Sequence, residues 1–245
     1  MEHDIVFITG SSAGIGRAAA LLFAARGSSL VITYCHDQEA GARVREECLQ
    51  AGARDVMLLN LDLADDDSIR RAVYDAVSHY HAVDVLINNA GTIDHGALSE
   101  QTFALIDHQL KTNLTGTIKL TKECLSYVRK SIITIGSTLG LRGRKRLSIY
   151  AASKFGLRGF TQALAQEHPE LFVFVVNPGL TATRMGSERG MDPGVVGQII
   201  VNASLGRYRL KPGSDINVRD YRYGPRLGKV RSLLRALRDG IIANV

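Results

Sequence analysis

The stretch "ITGSSAGIGRAAALLFAARG", residues 8–27, begins as a β-strand and ends as a helix. Gly10, Gly14 and Gly16 fall at the turn between the two, where absent side chains let the backbone approach an anion and let the helix pack closely on a sheet. The helix start adds free N–H groups and the positive end of its dipole, a combination suited to a pyrophosphate. A tight turn with no ligand is the competing reading of the same glycines.

Working outward, apolar β-rich runs recur at Ile5–Thr9, Leu30–Tyr34, Val56–Leu61, Val83–Asn88, Ile132–Ser137 and Leu171–Asn177, with helical patterns between them. Strands this apolar have no wet face, so the alternation predicts an α/β fold. The expected architecture is a doubly wound parallel sheet of Rossmann type, three layers α/β/α, in a single domain over 1–245. Asp192 and Pro193 make a good N-cap and first helical position for a helix running to about Asn202. Farther on, Leu227, Val230, Leu233, Leu234, Leu237 and Ile241 mark the apolar stripe of a terminal helix over about 226–243.

A chain of 245 residues with 45% hydrophobic composition can bury a full core. The N-terminus enters a strand at once, and no window reaches the roughly 18 apolar residues of a spanning helix, so a cytoplasmic protein without an integral membrane segment is expected. Cys35, Cys48 and Cys124 have no metal-like or disulfide-like spacing, read as buried free thiols, and imply no metal. The net charge of +6 is concentrated: residues 205–239 hold ten Lys/Arg against three Asp/Glu. A solvated or oligomer-facing helix is the plainer account of that tail. A nucleic-acid or acidic-membrane contact is the alternative, unsupported by any aromatic interleaving or nucleic-acid motif.

In "SIYAASKFG", residues 148–156, Tyr150 and Lys154 stand four residues apart in a helical pattern and so point from one face. A phenol beside an ammonium is a candidate acid for a substrate oxygen on which negative charge develops, and protonating that oxygen lowers the barrier. A free phenol, with pKa about 10, is poorly matched to that task. An adjacent ammonium should lower it toward neutrality. Taken alone, such a pair is usually an exposed helix decoration.

The motifs together resemble the short-chain dehydrogenases/reductases. Gly10-x-x-x-Gly14-x-Gly16, with Ser12 and Ile15 inside it, is similar to that family's cofactor turn. "LDLAD" (61–65), carrying Asp62 and Leu63, resembles its adenine-binding segment. "NNAG" (88–91), with Asn89, Ala90 and Gly91, resembles the motif that ends its fourth strand. "NPGLTAT" (177–183) resembles its Pro-Gly turn, with Pro178, Gly179 and Thr181 beside the cofactor and Thr183 on the nicotinamide carboxamide. The resemblance implies that Ser137 orients a substrate oxygen and that Tyr150 is the acid/base. It also implies that Lys154 tunes that phenol and touches the cofactor, and that Asn113 supports a proton relay.

Cofactor choice rests on the end of the second strand. Tyr34 stands where NAD-preferring members carry Asp, and His36 where some NADP-preferring members carry Arg, so NADP is preferred over NAD. Ala13 departs from the basic residue often found there, and Asp37 could reach the ribose from the loop. The substrate is expected to be a small carbonyl or alcohol, with specificity set by about 180–212. There Arg184 and Arg189 could meet an acidic substrate or face solvent. The run "RGRKR" (142–146) should rim the site, as a solvated loop or as an attractor for a phosphorylated or thioester-carrier substrate. Neither carrier-linked 3-oxoacyl nor general carbonyl reduction is singled out. A homo-oligomer, dimer or tetramer, is expected. "SDINVRDYRYG" (214–224) stands where many members have a strand followed by a glycine pair. A cofactor-sensing or scaffolding protein of the same fold is the competing class.

Overall fold

The computed structural model describes residues 3–186 and 189–222. Strands and helices alternate from the start: β1 (Ile5–Ile8), α1 (Gly14–Ala24), β2 (Ser29–Tyr34), α2 (Gln38–Gln50), β3 (Asp55–Asn60), α3 (Asp66–Tyr80) and β4 (Val83–Asn88). Two helices follow, α4 (Phe103–Leu110) and α5 (Gly116–Cys124), joined by a π-helical turn over Lys111–Thr115. The chain continues through β5 (Val128–Ile135), α6 (Ser148–Glu167), β6 (Phe172–Asn177), α7 (Pro193–Ser204), β7 (Asp215–Asn217) and the short α8 (Val218–Tyr221). Among the described residues the sheet is seven-stranded and parallel, in the order β3-β2-β1-β4-β5-β6-β7.

The period-2 alternation of side chains explains why both faces are apolar. Val6, Ile8, Leu30, Ile32, Val85, Ile87, Phe174 and Val176 face the layer built from α1, α2 and α7. Phe7, Val31, Leu86, Ile132 and Val173, one step out of phase, face α3, α5 and α6. The helices start where the sequence supplies caps. Asp37 Oδ1 accepts from the Ala40 N–H, Asp65 from Asp67, and Asp192 from Gly194 directly before Pro193.

β7 corrects the six-strand reading. Asp215–Asn217 do enter the sheet, Ile216 pairing with Val176 and Asn217 with Asn177. Three residues with one buried apolar side chain between polar neighbours are too few for a periodicity signal. The cysteine reading is corrected in one respect: Cys48 and Cys124 are buried, but Cys35, just past β2, is partly exposed. The basic terminal helix expected over 226–243 lies outside the described residues. No helix among the described residues is long and apolar enough to cross a membrane.

Close packing of α7 on α1 depends on Gly197, where a Cβ would stand 3.1 Å from the Ala18 carbonyl carbon and the Ala19 nitrogen, both backbone atoms. Gly197→Val should therefore force the helices apart and destabilise the fold by roughly 1–3 kcal/mol. Urea unfolding would measure this, and an unchanged midpoint would show that the contact tolerates a side chain.

Candidate active site

The sheet's strand order turns back between β1 and β4, and the crevice outside their carboxyl ends is where such folds bind ligands. Thr9 stitches the two strand ends together. Its Oγ1 accepts from the N–H groups of both Asn89 and Ala90, each at 2.9 Å, while Asn89 Nδ2 donates to the carbonyls of Thr9 and Gly10, also at 2.9 Å. Gly10 and Gly14 have φ of +62° and +57°, the left-handed region that disfavours side chains. A Cβ on Gly10 would lie 2.8 Å from Ala90 Cα, and one on Gly16 would lie 2.5 Å from the Gly10 carbonyl oxygen. Ala13 at the N-cap of α1 provides no side-chain cap, and no acid stands in the first turn, so the leading N–H groups remain available to an anion. These features fit a dinucleotide: a backbone cradle that side chains would fill, opening on an uncapped positive helix end.

The remaining residues of the crevice are placed as follows. Asp62 and the buried Leu63 follow β3, and Asp62 Oδ1 accepts from the Ala64 N–H at 2.8 Å. Tyr34 ends β2, with Cys35 and His36 beyond it. Asp37 caps α2, and its Oδ2 lies 3.4 Å from the Arg184 guanidinium. The Ala40 N–H, with Arg184 adding to it, holds the Asp37 carboxyl below the usual range. Thr183 brings the loop after β6 against the glycine turn, its Cγ2 3.0 Å from where a Gly14 Cβ would be. Pro178 accepts from the Thr138 N–H through its carbonyl, and Thr181 Oγ1 donates to the Gly179 carbonyl at 3.1 Å.

Ser137, Tyr150 and Lys154 come together at the end of β5, all buried. Ser137 lies two residues beyond the strand and caps the next turn, its Oγ accepting from the Leu139 N–H at 3.0 Å. Lys154 Nζ donates to the Ile135 carbonyl at 2.9 Å and stands 5.7 Å from the centre of the Tyr150 ring, a cation–π distance. Asn113, fully buried in the π-helical turn, accepts from the Thr92 N–H at 2.7 Å and donates to the Thr92 carbonyl at 2.8 Å. A Cβ on Gly91 would stand 3.0 Å from Asn113 Oδ1 and 3.8 Å from Lys154 Nζ, so the motifs around 91, 113 and 154 meet at one point.

The electrostatics differ from the lowered phenol expected from the Tyr150–Lys154 spacing. Burial pushes the Tyr150 phenol above its ordinary value, with the Ser137 hydroxyl opposing that shift, and burial brings Lys154 down to about 8. In the protein alone, desolvation dominates because Nζ points to the Ile135 carbonyl and over the ring face. Near neutral pH the arrangement holds a neutral phenol beside a charged ammonium. It can deliver a proton from the phenol and stabilise the phenolate that results.

Sequence reasoning missed a cleft of about 340 Å³ beside the glycine turn, lined by Ser12, Ala13, Gly14, Arg17, Arg43 and Arg184 among others. Arg17 is clasped by Glu47 at 2.7 and 2.8 Å. Arg43 carries no motif, and only the packing of α2 beside the turn could reveal it. In the rim segment, Arg146 of the basic run pairs with both oxygens of Glu100, at 3.1 and 2.8 Å, whereas Arg142, Arg144 and Lys145 are exposed.

The sheet order, the glycine cradle and the buried Ser-Tyr-Lys group define a dinucleotide-binding oxidoreductase fold. Residues 4–194 match the short chain dehydrogenase family, and the chain belongs to it. It is 35% identical over 190 residues to the 3-oxoacyl-(acyl-carrier-protein) reductase FabG of Escherichia coli K12, covering 75% of this chain and 76% of that protein. It is also 35% identical over 185 residues to a 3-ketodihydrosphingosine reductase of Bacteroides thetaiotaomicron, covering 73% of this chain and 64% of the relative. Among solved structures, a metagenomic blue fluorescent protein in complex with NADPH superposes with a TM-score of 0.83 at 27% identity, over 88% of this chain and 96% of that one. The Brucella melitensis 3-oxoacyl-(acyl-carrier protein) reductase in complex with NAD does so at 0.81 and 26%, over 94% and 98%.

The depressed Lys154 pKa makes stability depend on pH. Between about 8 and the ordinary 10.5 the unfolded chain binds more protons than the folded one, so the Lys154 contribution to stability rises with pH across that window. Urea unfolding of wild type and Lys154→Met should therefore show the wild type gaining on the variant by up to roughly 3 kcal/mol as pH rises through it. Parallel pH curves would show that the ammonium is not desolvated.

Proposed function

We propose that this chain is an NADP(H)-dependent oxidoreductase that interconverts a carbonyl compound and an alcohol. The observation that carries the reading is the buried meeting of Ser137, Tyr150 and Lys154 beside the glycine cradle, with Lys154 Nζ 5.7 Å from the phenol ring centre. Gly10–Gly16, Asp62–Leu63, Asn89–Gly91 and Pro178–Thr183 would hold a nicotinamide cofactor, which when bound would supply or accept the hydride. Tyr150 donates its phenolic proton to the substrate oxygen as negative charge develops there. Ser137 donates a hydrogen bond to the same oxygen. Lys154 keeps its ammonium beside the phenolate formed, and reprotonation of that phenolate closes the cycle. Asn113 acts by pinning Thr92, and with it Gly91, against Lys154. A phenol kept protonated by burial suits the reductive direction.

Preference for NADP over NAD is supported by charge. Tyr34 ends β2 where an acid would repel a 2′-phosphate, and Arg43 and Arg184 line the cleft beside Ser12, with Arg184 also pairing with Asp37. A 2′-phosphate would meet guanidinium groups there. The relatives whose names describe 3-oxoacyl and 3-keto reductases support a 3-oxo substrate, and the exposed Arg142, Arg144 and Lys145 suit a phosphorylated carrier. Assembly as a homo-oligomer is supported by the exposed Phe103 and Leu105 on α4 and Phe155 on α6, two helices in contact. We place the protein in the cytoplasm.

A panel of ketones, aldehydes and an acyl thioester, followed by loss of reduced-nicotinamide absorbance, tests the activity. Tyr150→Phe should lower turnover by roughly 100-fold or more while cofactor binding stays nearly intact. Full turnover in that variant would defeat the mechanism. In fluorescence titrations NADPH should bind more tightly than NADH, and Arg43→Glu should weaken NADPH roughly tenfold with little effect on NADH. The reverse cofactor order would refute the NADP assignment.

A further inference from the structure

Arg158 lies four residues after Lys154 and eight after Tyr150, so the three project from one side of α6. Its guanidinium clasps Asp215 of β7, Nε standing 2.8 and 3.0 Å from the two carboxylate oxygens and a terminal nitrogen 2.7 Å from Oδ2. Asp215 Oδ1 also accepts from Asn177 Nδ2 at 3.0 Å. Asn177 is 1% exposed, and its Oδ1 accepts from the Ser137 N–H at 3.2 Å. The amide cannot be reversed. Its nitrogen must face a carboxylate, which only accepts, and its oxygen must face a backbone N–H, which only donates. At Gly136 a Cβ would collide with that oxygen, so the main chain can pass close beneath Asn177 only as glycine.

The chain of contacts therefore runs from the helix bearing Tyr150 and Lys154, through β7 and β6, to the main chain of Ser137. We propose that Arg158, Asp215 and Asn177 form a positioning relay that sets Ser137 against Tyr150. The proposal rests on the oxidoreductase reading above. None of the three touches the reacting atoms; they act through Ser137. Charge-assisted bonds give the relay stiffness that neutral contacts at a three-residue edge strand would lack. Loosening it lets the Ser137 hydroxyl drift from the phenol. That hydroxyl is the group opposing the upward push on Tyr150, so drift makes the phenolate harder to form.

The test uses the full chain with Asp215→Ala, Asp215→Asn and Arg158→Leu. Amide hydrogen exchange at Ser137 should accelerate roughly tenfold in Asp215→Ala, while amides of β1 keep their protection. Asp215→Asn, which can still accept from Asn177, should fall between that variant and wild type. In turnover, Asp215→Ala should lower kcat roughly tenfold with NADPH affinity within about twofold. The pH midpoint for alcohol oxidation, which needs the phenolate, should move up by about half a unit or more. A role confined to stability would lower Tm and leave that midpoint alone. Unchanged Ser137 exchange in both Asp215→Ala and Arg158→Leu, or an unmoved pH midpoint in active variants, overturns the relay. If wild type reduces no carbonyl in the panel, the oxidoreductase reading fails, and Ser137 exchange still decides the relay.

Discussion

The hydrogen bond from Lys154 Nζ to the Ile135 carbonyl, 2.9 Å long and shut away from water, is the constraint around which this molecule is organised. An ammonium buried without a partner is expensive enough that the chain would unfold locally or the group would lose its proton. Here the last carbonyl of β5 and the face of the Tyr150 ring share the charge. The bond also fixes α6 to the end of β5, and through the helix it fixes the phenol. Once Lys154 is seated, Tyr150 has little choice of place, and Ser137, two residues past Ile135, lies within its reach.

The remaining elements bring a ligand to that point. A parallel sheet whose order reverses between β1 and β4 leaves a crevice at the carboxyl ends of those strands, and Thr9 and Asn89 hold its two lips together through four hydrogen bonds. Each contributes on the order of 1 kcal/mol net, but their geometric effect is larger than their energy. They bring Ala90 so near Gly10 that only glycine fits the turn. The anion cradle and the buried polar group are therefore neighbours because the same strand ends carry both.

Polar groups in this region are mostly spent on structure. Asn113 gives both ends of its amide to Thr92, Asp37 caps α2, and Asn177 bridges Ser137 and Asp215. A side chain matched to a family role by position can thus act by holding the backbone rather than by touching a ligand. In the proposed reaction this division leaves a phenol and a hydroxyl facing the substrate oxygen and an ammonium beside the phenol, with everything else arranging them.

The strands from β1 to β6 were legible in the sequence, as were the glycine turn and the caps at Asp192 and Pro193, because each depends on neighbours within a few residues. The i,i+4 spacing of Tyr150 and Lys154 likewise placed them on one helix face. β7 was not legible, since three residues carry no period. The direction of the Tyr150 shift was not legible either, because it depends on how deeply the pair is buried and where Nζ points. Asp37, Arg43 and Arg184 meet across nearly 150 residues, and Arg158, Asp215 and Asn177 across three elements, so only tertiary packing could decide their partners. Local sequence determined which groups this chain could offer. The closing of the sheet determined which were desolvated and paired, because burial and charge–charge contact are properties of the folded surroundings.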